Sequence, residues 1–196
     1  MALEIRAGVG SGRPNHKQDV GLVQLMLGGH EFTVTADGAF GVQTATALEG
    51  FQQSRLGFTD GFCDPCDVTY KMLRTEFTDS ESILMRSLLL SLLGEATFGD
   101  VTAEELPPDG LGLIQTRVQG EGIARFYSHP THGTWEVRGA ILGRYMELGD
   151  AAGALGMPIS GERDNGFSGG RISFFDHGRI VFEPATGVSE TVLAQD

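Results

Sequence analysis

Two Asp-Gly pairs, Asp37-Gly38 and Asp60-Gly61, each stand shortly before a run of helix-forming residues, and each follows another such run. Asp-Gly favours a tight turn, because glycine accepts a positive φ without steric cost and Asp bonds to its own backbone. The stretch "DGAFGVQTATALEGFQ" (37–52) gives the plan. A turn leads through Phe40-Gly41 into a helix predicted from Thr44 to Ser54, with Leu48 and Phe51 inward. Before it, 13–29 reads as a first helix, capped by Asn15, apolar at Val20, Val23 and Leu27, and ended by Gly28-Gly29. After it, the Asp60-Gly61 and Asp64-Pro65 turns precede a third helix from Asp67, with Tyr70 and Leu73 inward. Phe40 is expected in the core between the helices.

The rest of the chain has a different texture. "DSESILMRSLLLSLLG" (79–94) reads as a helix capped by Asp79 or Ser80, apolar nearly all round and so expected to be buried between the two halves. "DVTAEELPPDGLG" (100–112) is predicted as a second short helix stopped by Pro107-Pro108. From 117 short extended runs alternate with Gly turns. Pro130-x-x-Gly133-x-x-Glu136 recurs as Pro184-x-x-Gly187-x-x-Glu190, an offset that also brings Phe126-Tyr127 onto Ile180-Val181. A fixed internal period of this kind signals a repeat architecture. A helix with Ile141, Tyr145 and Leu148 on one face lies between the two copies.

The N-terminal pattern resembles the small three-helix peptidoglycan-binding domain found beside many bacterial cell-wall hydrolases. Asn15, Asp19-Val20, Gln24, Leu27, Asp37-Gly38, Phe40-Gly41, Thr44, Phe51-Gln52, Asp60-Gly61, Asp64-Pro65, Thr69 and Leu73 carry the resemblance. The C-terminal part resembles the bacterial repeat named for Leu-Gly-Phe-Pro. Here the residues are Gly139-Ala140-Ile141, Leu148-Gly149, Leu155-Gly156, Pro158, Phe174 to Gly178 and Ile180-Val181-Phe182, with Met157 at the usual aromatic position. About one full unit with flanking half-units is expected. The resemblances imply an α+β chain. A three-helix peptidoglycan-binding-like domain would span 1–76, a helical connector 77–116, and a mainly β LGFP-repeat-like domain 117–196.

They also imply the partner. Peptidoglycan, through its stem peptide or glycan, is the expected ligand of the first domain, and wall attachment the expected role of the second. The polar groups beside the folding motif are the candidate site: Gln52, Gln53 and Arg55 at the end of the second helix, Gln43 and Thr44 at its start. Free backbone N–H groups at that start suit a carboxylate, and stem peptides carry carboxylates and amides.

Charge sets limits. The chain has 196 residues and a net charge of −12, which argues against nucleic acid or an anionic membrane as partner. The imbalance lies mostly beyond residue 75, where eight Lys and Arg face eighteen Asp and Glu. The N-terminus lacks the apolar core of a secretory signal, and 82–94 is too short to span a bilayer. The expectation is a soluble protein, cytoplasmic until released, or reaching the envelope by non-classical export or within a particle.

No catalytic constellation is legible. None of the five histidines forms H-E-x-x-H, and His129 and His132 fall in a β-turn of the repeat register. The "HGTW" stretch (132–135) has no cysteine after it. Cys63 and Cys66 form a lone C-x-x-C around Asp-Pro, too few ligands for zinc and misplaced for a redox pair, so they read as incidental or locally disulfide-bonded. No enzyme, metal or cofactor is expected. A rival reading makes the chain a structural or adaptor component of a phage tail or contractile injection apparatus, meeting other proteins of that assembly. A third makes the ancestral groove a protein–protein interface.

Overall fold

The computed structural model describes residues 4–75, 77–166 and 168–193. The chain divides into two units, Leu3–Thr97 and Phe98–Asp196, each with its own core. The span 77–116, expected as a connector, is divided between them.

The N-terminal unit opens with a short strand β1 (Val9–Gly10), followed by α1 (Lys17–Gly29) and α2 (Val42–Arg55). Strand β2 (Phe62–Cys63) pairs antiparallel with β1 and leads into α3 (Val68–Leu73). Asp67 caps α3, accepting from Tyr70 N at 2.6 Å. The core is apolar: Val20, Val23, Leu27, Leu48, Phe51 and Leu73 are fully buried. Each such side chain removed from water contributes about 1.5–3 kcal/mol before chain entropy is charged against it. Phe40, expected in this core, is only half-buried.

Asn15 does not cap α1. It lies at φ +52°, and its side chain closes the preceding loop, accepting from Gly10 N at 2.9 Å and donating to Gly10 O at 2.8 Å. His16 occupies the cap position without a side-chain bond. The φ and side chain of Asn15 are committed to the loop, which turns its amide away from the helix start. Asp19, buried in the first turn of α1, instead accepts from the backbone N–H of Arg6 and Ala7 and ties down the N-terminal segment.

A fourth helix, α4 (Asp79–Leu92), packs on α1 and belongs to this unit. Its cap is Thr78, one residue ahead of the expected Asp79 or Ser80. Thr78 Oγ1 accepts from Glu81 N at 3.2 Å while Glu81 returns to Thr78 N at 2.7 Å, a capping box. Close approach depends on small residues of α1. A methyl group on Gly21 would sit 2.4 Å from a Leu92 carbon, and one on Gly29 would sit 2.6 Å from the Phe77 ring. Not all of α4 is buried: Leu84 and Leu88 are 45% exposed.

The C-terminal unit holds two four-stranded antiparallel sheets. The first has the order β3 (Val101–Glu105), β4 (Leu113–Gln119), β5 (Gly122–His129), β6 (Gly133–Arg138). Helix α5 (Gly139–Glu147) and a single turn at Asp150–Ala152 follow. The second sheet contains β7 (Arg163–Asp164), β8 (Arg171–Phe175), β9 (Gly178–Glu183) and β10 (Gly187–Val192), each paired with the next. The period read from the sequence is reproduced in the ladders. Phe126 faces Glu136 and His129 faces Gly133; in the second copy Ile180 faces Glu190 and Glu183 faces Gly187. Between the copies α5 buries Ile141, Leu142 and Tyr145 against Tyr127, Phe175 and Ile180. The Tyr145 ring lies 4.4 Å from Phe175 and 5.8 Å from Tyr127.

The helix expected over 100–112 is instead strand β3 and a turn. Its Ala-Glu-Glu-Leu composition favours helix, but cross-strand partners override that preference. Gln115 Nε2 donates to Glu104 Oε1 at 2.7 Å, and Glu105 pairs with Arg125. The β region therefore starts near 101 rather than 117.

Candidate functional site

Two of the expected site residues are part of the framework. Gln52 is fully buried. Its Nε2 reaches Asp60 Oδ1, the Phe62 carbonyl and Thr69 Oγ1, and its Oε1 accepts from Asp60 N and Gly61 N. Its hydrogen-bonding capacity is used inside the fold, so none is left for a ligand. Thr44, expected at an open helix start, is buried as well. It accepts from Gln24 Nε2 at 2.9 Å and donates to the Ala39 carbonyl. The start of α2 is set by Gly41, with Val42 as first helical residue. Gln43 is exposed there, and its Oε1 accepts from Thr35 N at 3.0 Å.

Gln53 and Arg55 are exposed near the far end of α2. Gln43 and Arg55 are thus separated by about 18 Å of helix, and the structure does not gather the five residues into one site. Arg55 lines a cleft.

That cleft, of about 170 Å³, is bounded by Gly29, His30, Glu31, Arg55, Phe77 and Glu81. It forms where α1 and α2 end and α4 begins. The His30 ring lies between Phe51 at 5.1 Å and Phe77 at 4.9 Å, and its Nε2 donates to the Leu73 carbonyl at 2.9 Å. Backbone N–H groups of His30, Glu31 and Phe32 satisfy the last α1 carbonyls, which places Glu31 at φ +68° on the rim. Glu81 is engaged with Thr78 through Oε2 only. The Thr78 N–H it accepts holds its carboxyl below the usual glutamate range. Among the described residues, neither the Arg55 nor the Glu31 side chain has a hydrogen-bond or ion-pair partner. The sequence signals for this cleft were Arg55 at a helix end and the paired glycines at 28–29. Glu31, Phe77 and Glu81 carried none.

A second cleft, of about 390 Å³, lies in the C-terminal unit beside Arg125, Glu105, Asp150 and the apolar Leu106, Pro108 and Ile114. Arg125 is buried and pairs with both Glu105 and Asp150, while Tyr127 Oη donates to Asp150 Oδ1 at 2.8 Å. Burial, with the Asp150 charge next, pushes the Tyr127 phenol well above its ordinary pKa, so it stays a donor. Asp150 itself stands at φ +56°. One cation here faces two carboxylates, and Arg125 Nε is buried without a hydrogen-bond partner among the described residues.

The histidines of the β5–β6 turn are likewise engaged. His129 pairs with Asp109 at 2.8 Å and His132 with Asp176 at 3.0 Å. No three His, Cys, Asp or Glu among the described residues are grouped to hold a metal ion. Cys63 is buried and Cys66 exposed, both as free thiols, and burial pushes the Cys63 thiol up. Among the described residues no helix is long and apolar enough to cross a membrane.

Comparison with known families finds the LGFP repeat twice, at residues 99–153 and 155–193. Two copies are therefore present, not the one unit with flanking halves that the sequence motifs imply. The first copy takes in β3, β4, β5, β6 and α5, the second β7, β8, β9 and β10. The first copy begins with β3, the segment misread as helix, which hid its N-terminal third. No curated protein matches the chain.

Proposed function

We propose that this chain is a non-catalytic bacterial cell-wall-binding protein whose N-terminal unit recognises peptidoglycan and whose LGFP repeats add contacts to the envelope. The observation that carries the reading is the cleft at the ends of α1 and α2, where Arg55 and Glu31 have no side-chain partner among the described residues and stand beside the Phe77 ring. Charged groups kept free next to an apolar surface suit a ligand that carries its own charges and amides. The resemblance of residues 5–75 to wall-binding domains and the LGFP copies over 99–193 support the same partner. A shallow site of this size implies modest affinity.

Co-sedimentation of the full chain with purified, insoluble peptidoglycan tests the reading. Retention of the wild type, reduced in Arg55→Ala and unchanged in Gln43→Ala, is the expected outcome. A protein that stays in the supernatant at every peptidoglycan concentration overturns it.

A further inference from the structure

The N-terminal cleft offers opposite charges that do not neutralise one another. Arg55 closes α2 and Glu31 follows the end of α1, both line the cleft, and neither has a partner among the described residues. Glu81 adds a second carboxylate whose Oε1 makes no hydrogen bond among the described residues. Gly29 lets Phe77 and Met85 pack against the end of α1, since a side chain there would run into them at 2.6 and 2.8 Å, and this brings Phe77 to the cleft wall. A simple anion entering this cleft meets Glu31 and Glu81, and a simple cation meets Arg55. A ligand that carries both charges on one carbon satisfies both sides. The C-terminal ends of α1 and α2 carry the negative ends of their dipoles and favour an ammonium near Glu31, while Arg55 favours the carboxylate.

We propose that this cleft binds the zwitterionic α-amino acid end of an uncross-linked stem peptide, an inference that rests on the wall-binding reading above. Arg55 takes the carboxylate with its planar fork of donors. Glu31 and Glu81 take the ammonium, and Phe77 covers the aliphatic carbons. Cross-linking consumes the amine and amidation removes the carboxylate charge, so the cleft distinguishes free wall ends from mature ones. The shared chemistry could also come from a free amino acid, which the experiment separates.

The full chain is titrated calorimetrically with a soluble disaccharide-tripeptide ending in a diamino acid whose distal amine and carboxylate are free. Its N-acetylated form, its carboxamide form and the free diamino acid are titrated in parallel. The intact fragment is expected to bind, and acetylation or amidation each to weaken it about tenfold, the size of one lost charge-assisted hydrogen bond at an open site. Arg55→Gln should abolish the preference against the amidated form while keeping that against the acetylated form. Glu31→Gln should do the reverse. A misfolded variant loses both preferences together and cannot mimic this crossing. Equal affinity for the three fragments, or variants that leave both preferences intact, overturns the inference while retention on insoluble peptidoglycan stands. Equal affinity for the free diamino acid overturns the stem-peptide assignment, and no retention on peptidoglycan removes both readings.

Discussion

Gln24 of α1 and Gln52 of α2 hold equivalent sets of partners. Gln24 grips Asp37-Gly38 and Thr44; Gln52 grips Asp60-Gly61 and Thr69, with the amide-to-hydroxyl bonds at 2.9 and 3.0 Å. In both turns the glycine stands at φ +73°, which a side chain would strain. In both the Asp carboxylate also accepts from the N–H two residues on. One helix–turn–helix device is thus used twice in succession. It explains why the sequence places an Asp-Gly pair before each short helix: the turn is clamped from the preceding helix by a buried amide.

Gln52→Ala should therefore destabilise the N-terminal unit rather than touch a ligand directly. It strands the buried Thr69 hydroxyl and the turn amides of Asp60 and Gly61, at a cost of about 2–4 kcal/mol. Urea unfolding followed by circular dichroism checks this. Gln53→Ala, one residue on and exposed, should leave the transition where it is.

The adjacent glycines at the end of α1 should respond with opposite signs. A methyl group on Gly28 meets nothing within 4 Å, so Gly28→Ala gains helix propensity of about 0.5–1 kcal/mol. On Gly29 it meets Phe77 and Met85. Gly29→Ala should lower the melting temperature, because the clash outweighs the same gain.

Cys66 stands at φ +68° on the surface. Glycine at that position relieves the left-handed strain, and Cys66→Gly should stabilise the chain by about 0.5–1 kcal/mol. Alkylation should label Cys66 rapidly and Cys63 only on unfolding, since Cys63 is buried with its thiol held protonated.

The first turn predicts an acid response. The Ala39 N–H, and after it the Gln24 amide, hold the Asp37 carboxyl below its ordinary value of 3.8. A group whose folded pKa is depressed contributes stability above its unfolded value and loses it as pH falls through the folded one. Melting temperature should therefore drop as the pH falls below about 4. Asp37→Asn should show a shallower slope over that window, measured against the wild type in the same buffers.

The local punctuation of this chain was legible. The ends of α1 and α2, the Asp67 cap and the two β-hairpins follow from turn residues and periodicity, and the ladders reproduce the sequence register. The strand β3 was not, because its extended form depends on Gln115 and Arg125, which lie further along the chain. The same limit governed the site. Gln52 looks like a surface residue at a helix end until the turn that covers it is seen. Glu31, Phe77 and Glu81 become neighbours of Arg55 only because Gly21 and Gly29 let α4 settle on α1.

The most direct test of the account is where peptidoglycan touches the chain. Amide chemical shifts of the full-length protein are followed during titration with soluble peptidoglycan fragments. The account predicts saturable changes centred on Gly29, His30, Glu31, Arg55 and Phe77, with the Gln52 turn unmoved. Changes confined to the LGFP repeats, or none at saturating ligand, would contradict it.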